Sequence, residues 1–229
     1  EAPGLAAACR AHHHGVLDTP TLAGYTRRTD RHLSVLTGIS RSDRWPELRA
    51  DAVIGVLEQA RQLAQLVVVD CGFCLEDDEE LSYDTAAPRR NAATLAALSS
   101  ADRIITVGSA DPTGVARLVR GLTELAESID TPAARSPLVV MNRLRGTAMP
   151  GDPASEVRQA MQRFAGVGQL TFVPYDRIAA DRAAAMGRTI GDAVPRSPLR
   201  NALAELAVTL LSAPVPAQLA SVGQEWSRP

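Results

Sequence analysis

A chain of 229 residues, 45 % hydrophobic and 22 % charged, is long enough to bury a real core in one α/β domain or two small ones. Its formal net charge of −2 gives no basis for strong attraction to nucleic acid or to an anionic membrane. The sequence contains no lysine, so its 24 Lys-plus-Arg positions are all arginine, and chemistry that needs a lysine ammonium from this chain is excluded.

Aromatic residues are only 3 %, which leaves Ala, Leu and Val to build the core. No window approaches the roughly 20 apolar residues of a membrane span. Residue 1 is Glu and no charged-then-apolar leader precedes the first helix-like segment, so the chain is expected to be cut or processed at its start but not secreted. Three cysteines are too few for a disulfide scaffold and suit a reducing compartment; the expected location is cytoplasmic.

Along the chain, His12, His13 and His14 come first. Three consecutive side chains on a helix or strand diverge, so this run is not expected to hold a metal. His32 to Leu36 (HLSVL) predicts a short strand ending at Thr37-Gly38, and Pro46 to Leu63 a helix with Leu48, Val53, Val56, Leu57 and Leu63 at helical spacing. Leu66 to Asp70 (LVVVD) predicts a strand, followed by Cys71-Gly-Phe-Cys74 and the acidic run Glu76 to Glu80, read as a solvated loop or first helical turn. Arg89 and Arg90 follow Pro88, suited to a nucleotide, a partner or plain surface charge, and Arg90 to Leu98 predicts a helix.

The later half repeats the alternation. Arg103 to Val107 (RIITV) is a predicted strand stopped by Gly108, and Gly114 to Glu127 a predicted helix entered through Asp111-Pro112, a capping carboxylate followed by a first-turn proline. Leu138 to Asn142 (LVVMN) and Leu170 to Val173 (LTFV, stopped by Pro174) are further strands; Pro153 to Phe164 and Pro198 to Leu211 are helices. Continuous apolar runs indicate strands buried on both faces, hence an α/β fold with a mainly parallel sheet flanked by helices and right-handed crossovers. The expected organisation is one domain over residues 1–212 and a Pro-rich, flexible tail over 213–229. Function is expected at the carboxyl ends of the strands.

Three strand ends carry candidate chemistry. Asp70 suits the magnesium of a nucleotide, directly or through water, with Gly72 letting backbone pass close to a phosphate; a buried strand ending in a turn-capping Asp fits as well. Asn142 offers a donor and an acceptor to the edge of a base, or accepts a left-handed turn. Pro174, Tyr175 and Asp176 suit a loop that packs against a base, or an ordinary strand exit. The Cys71/Cys74 pair after a strand is a thioredoxin-like signal, but Thr19-Pro-Thr-Leu22, the nearest match to the proline segment such a protein needs, precedes it.

In this order and at these separations, the pieces resemble the distal half of the MinD/ParA superfamily of deviant-Walker P-loop ATPases, over about residues 1 to 212. Asp70 matches the Walker B aspartate, Ala101-Asp102-Arg103 with IITVGSADPTGVARL the following strand and helix, Asn142 the adenine-reading asparagine with Arg143 after it, and Pro174-Tyr175-Asp176 the base-side loop. LTGISRSDRWPELR and VVVDCG are most similar to the CpaE-like, septum-site-determining branch of actinobacteria. The resemblance implies an ATP- and Mg-dependent homodimer that positions a septum, pilus or secretion machine through a protein partner; from the net charge and the apolar windows, no nucleic-acid partner and no membrane segment are expected. The family's glycine-rich loop with its lysines has no counterpart here, so the chain is read as lacking the Walker A segment. It is therefore expected to hold no catalytic residue, to bind no cofactor on its own and to be inactive in hydrolysis. A gap or exposed edge is expected beside Leu66 to Asp70. Two other readings stay open: a non-catalytic pseudo-ATPase interaction module, and a Cys-x-x-Cys thiol-redox protein.

Overall fold

The computed structural model describes residues 4–76, 89–147 and 151–212, which fall into two compact units. The first comprises residues 1–101 with 124–131, and the second residues 102–123 with 132–229. The predicted tail, most of the acidic run and Pro88 lie outside the described residues.

The first unit is largely helical. It contains α1 (Gly4–His13), α2 (Thr19–Tyr25), the two-residue strands β1 (Arg27–Arg28) and β2 (Ser34–Val35), a 3-10 turn (Ser42–Glu47), α3 (Ala50–Leu63) and α4 (Ala92–Ser99). Small side chains let the helices approach closely, and Ala8, Cys9, Leu22, Ala52, Val53, Val56 and Ala96 form one buried cluster. Asp18 starts α2, its carboxylate accepting from Thr21 N–H at 2.8 Å, with Pro20 in the first turn. Gly55 of α3 leaves the space that the His12 ring of α1 fills; a Cβ there would lie 2.2 Å from that ring. His12 is thus a packing residue, and no group of three metal-ligating side chains exists among the described residues.

Two predicted strands of this unit differ from the structure. His32 to Leu36 contributes only Ser34–Val35, paired antiparallel with Arg27–Arg28 and not to a parallel sheet. The run is short and follows Arg31, and its residues up to Val35 are exposed, so nothing buries it on two faces. Leu66 to Asp70 is not hydrogen-bonded into any sheet among the described residues. Val68 and Val69 are exposed, Val68 by 80 %, and Val67 is half-buried. Intrinsic strand preference does not suffice where no neighbouring strand supplies the ladder. The predicted helix from Pro46 begins instead at Ala50, because Pro46 lies within a separate 3-10 turn that runs to Glu47.

The second unit carries the parallel sheet. Its strands are β3 (Ile105–Ser109), β4 (Leu138–Leu144) and β5 (Thr171–Pro174), in spatial order β3-β4-β5 and parallel throughout. The helices are α5 (Pro112–Ser128), whose end from Glu124 counts with the first unit, α6 (Pro132–Arg135), α7 (Pro153–Ala165), α8 (Arg177–Met186), α9 (Ile190–Ala193) and α10 (Pro198–Ser212). Alternation along β4 decides the two faces. Val139 and Met141 pack with Val115 and Leu118 of α5 and Val157 and Met161 of α7, whereas Val140 joins Val173 of β5 and Ala202 of α10. Helices on both faces make this the expected α/β arrangement. β3 has no further strand beside it among the described residues, and Val107 is 60 % exposed.

Candidate functional site

The carboxyl edge of the three parallel strands gathers the polar side chains of the second unit. Ser109 ends β3 and stands opposite Asn142 in the register; Ala110 N–H donates to Asn142 O at 2.7 Å. Beyond Met141 the β4–β5 register shifts until Leu144 pairs with Pro174, and Tyr175 N–H donates to Leu144 O at 2.8 Å. The shift coincides with Arg143, which takes a left-handed backbone with φ of 58°. Arg143 N–H donates to Asn142 Oδ1 at 2.7 Å. Arg145, in the loop after β4, sets its guanidinium 5.9 Å from the centroid of the Tyr175 ring.

Two helix starts frame this edge. Asp111 caps α5: its Oδ1 accepts from Gly114 N–H at 2.9 Å, and its Oδ2 accepts from the Ser109 hydroxyl at 2.5 Å. The Ser109 hydrogen bond, then the Gly114 amide, hold the Asp111 carboxyl below the usual carboxylate range, with Arg145 adding to the effect. Gly114 is obligatory by contact, since a Cβ there would lie 2.2 Å from Ser109 O. Asp176 caps α8 in the same manner, Oδ1 accepting from Ala179 N–H at 3.0 Å. Strand ends therefore deliver backbone and side chains to one place, and helix caps hold the intervening loops.

Asn142, Arg143, Pro174, Tyr175 and Asp176 are thus brought to the same edge, with Asp176 giving Oδ1 to the cap of α8. Ser109 and Arg145 belong to the same edge and carry no sequence signal beyond their nearness to strand ends. Asp70, Cys71 and Gly72 belong to the first unit. Asp70 is exposed, and a Cβ at Gly72 would meet only Thr94 Oγ1 at 4.0 Å, so no close backbone approach demands glycine there. Burial, and then the Asp70 carboxylate, push the Cys71 thiol up. That direction opposes thiolate formation, the opposite of what an activated dithiol needs.

No protein-family model matches the chain, and no curated protein matches it. Among solved structures it is similar to a ParA family ATPase from Chlorobium tepidum TLS, with a TM-score of 0.69 and 16 % identity over 90 % of this chain and 74 % of that one. At such identity the likeness is one of fold: the chain has a ParA-like α/β fold. No described helix is long and apolar enough to cross a membrane.

Proposed function

We propose that this chain is the base-side and metal-side portion of a nucleotide-dependent switch, in which a purine nucleotide lies against the carboxyl edge of β3, β4 and β5. The observation that carries this reading is the convergence of Asn142, Arg145 and Tyr175 at that edge of a ParA-like sheet. Tyr175 is 47 % exposed, which leaves ring surface for stacking. Among described residues Asn142 Nδ2 makes no hydrogen bond, so one donor remains for a ligand. Asp70, taken within the first unit alone, is an exposed carboxylate of the type that holds magnesium, a metal bound by one or two carboxylates with water and phosphate oxygens completing the shell. Gly72 follows it in the chain without a side chain to obstruct phosphate.

We further propose, from the sequence resemblance and the likeness in fold to a ParA family ATPase, that the switch is ATP-dependent and works as a homodimer with a protein partner in positioning a cellular machine, of the septum, pilus or secretion kind. The interaction-module reading keeps one supporting observation: the edge of β3, unpaired among the described residues, and the exposed Leu66, Val68 and Val69 present apolar surface. Titration of the 15N-labelled chain with adenosine 5′-monophosphate at millimolar concentrations separates the two. Amide shifts concentrated at Asn142 to Arg145 and Tyr175 are expected. Shifts elsewhere, or none, would leave the interaction module as the better reading.

A further inference from the structure

We infer that Cys71 and Cys74 are half of a tetrahedral zinc site that a second copy of this chain completes. The inference goes beyond the nucleotide reading and uses residues of the first unit alone. Both thiols are free, Cys71 half-buried and Cys74 exposed. Two residues lie between them, the spacing with which one stretch of chain gives a structural zinc two of its four ligands. The chain bends at Phe73, and Gly72 has open space around it: the one atom that a Cβ there would meet, Thr94 Oγ1, is 4.0 Å away. A turn around a metal is therefore unobstructed. The Gly72, Phe73 and Cys74 amides make no hydrogen bond among the described residues, so they remain as donors to thiolate sulfur. The pair is also anchored on its C-terminal side. Leu75 is buried, and the Glu76 carbonyl accepts from Asn91 Nδ2 at 2.7 Å.

A structural zinc is closed by four ligands, and thiolate sulfur selects it over magnesium or calcium. One copy supplies two thiolates, whose protons pass to solvent on binding. Among the described residues no group of three His, Cys, Asp or Glu side chains is placed to hold a metal, and the third cysteine, Cys9, is buried in the helical core of the first unit. The surface around the pair points to the source of the other two ligands. Phe73, between the cysteines, is 92 % exposed, and Leu66, Val68 and Val69 just before them are exposed as well. A two-fold axis through the metal brings each of these beside its own counterpart, takes apolar surface out of water and completes a four-thiolate set.

The test uses the full chain, reduced and free of nucleotide and magnesium, at increasing zinc, with metal content and molar mass measured together. About half a zinc per chain is expected, with conversion from one chain to two as zinc is added and reversal by a chelator. Cobalt in place of zinc should give the sulfur-to-metal charge-transfer absorption of tetrahedral thiolate coordination. Cys74→Ser changes an exposed side chain, so its helical circular dichroism should be unaltered; it is expected to weaken zinc by more than about tenfold and to abolish the dimer. Phe73→Asp keeps every thiol but sets two like charges face to face, and is expected to weaken the zinc-bound dimer by about tenfold or more. The unaltered chain's stoichiometry and cobalt spectrum decide the question even where a variant fails to fold. One zinc per chain without dimer formation would mean that ligands of the same chain close the site, and would overturn the inference. So would a dimer indifferent to zinc, or undiminished zinc binding by Cys74→Ser, which would assign the metal to the exposed His13 and His14. With no nucleotide present, each of these failures leaves the nucleotide reading standing.

Discussion

At the scale of single residues, Gly114 and Asp111 hold the start of α5 against the end of β3. A methyl group at Gly114 would collide with Ser109 O, a backbone atom that cannot swing aside, so Gly114→Ala is expected to cost roughly 1–3 kcal/mol in urea unfolding. Unchanged stability would mean that the α5 entry relaxes freely. Asp111→Ala removes the cap and is expected to cost about 1 kcal/mol. The carboxylate also gives this cap a pH dependence. Because the folded state lowers the Asp111 pKa, its contribution is complete above the unfolded carboxylate value of about 4 and fades as pH falls through the folded one. Unfolding at a series of pH values should therefore show the stability gap between the chain and its Asp111→Asn variant narrowing below about pH 4. A gap constant down to pH 2 would assign it to shape and not to charge.

At the scale of elements, β3 and β4 are close in sequence character but differ in what covers them. Val139 of β4 is buried between two helices, whereas Val107 of β3 stands 60 % exposed. Val139→Ala is expected to cost roughly 2 kcal/mol and Val107→Ala less than about 0.5 kcal/mol in the same unfolding assay. Comparable losses would show that something covers β3 in solution. The same contrast explains what was legible in the sequence. RIITV, LVVMN and LTFV announced β3, β4 and β5 because unbroken apolar runs suit two-faced burial, and Asn142 and Tyr175 were visible because they end such runs. LVVVD has the same character yet joins no sheet among the described residues, since a strand depends on a neighbour that periodicity does not encode. The alanine-rich α1 and α8 hold few large apolar side chains to mark a buried face, and neither is a predicted helix. The turning of the Asn142 amide onto Arg143 depends on one backbone angle and has no signature in the letters.

At the scale of the whole molecule, the decisive fact is one of composition. A triphosphate is gripped mainly by glycine-rich-loop amides, a lysine and the metal they position. This chain has no lysine, and its net charge of −2 offers no general attraction for an anion. The edge of β3, β4 and β5 supplies a donor at Asn142 and a ring at Tyr175, groups suited to a base and not to phosphates. Arg143 at the end of β4 and Arg145 in the following loop bring positive charge, but exposed guanidiniums do not reproduce a cradle of fixed backbone amides. Binding of Mg-ATP by these 229 residues is therefore expected to be no tighter than millimolar, worth about 4 kcal/mol, with no hydrolysis. Calorimetry with Mg-ATP and a phosphate-release assay against a protein-free control make the check. Micromolar affinity, or release above that control, would mean that arginines and helix starts of this chain assemble a phosphate site of a different design, and Asp111→Ala and Arg145→Ala would be the first variants to locate it.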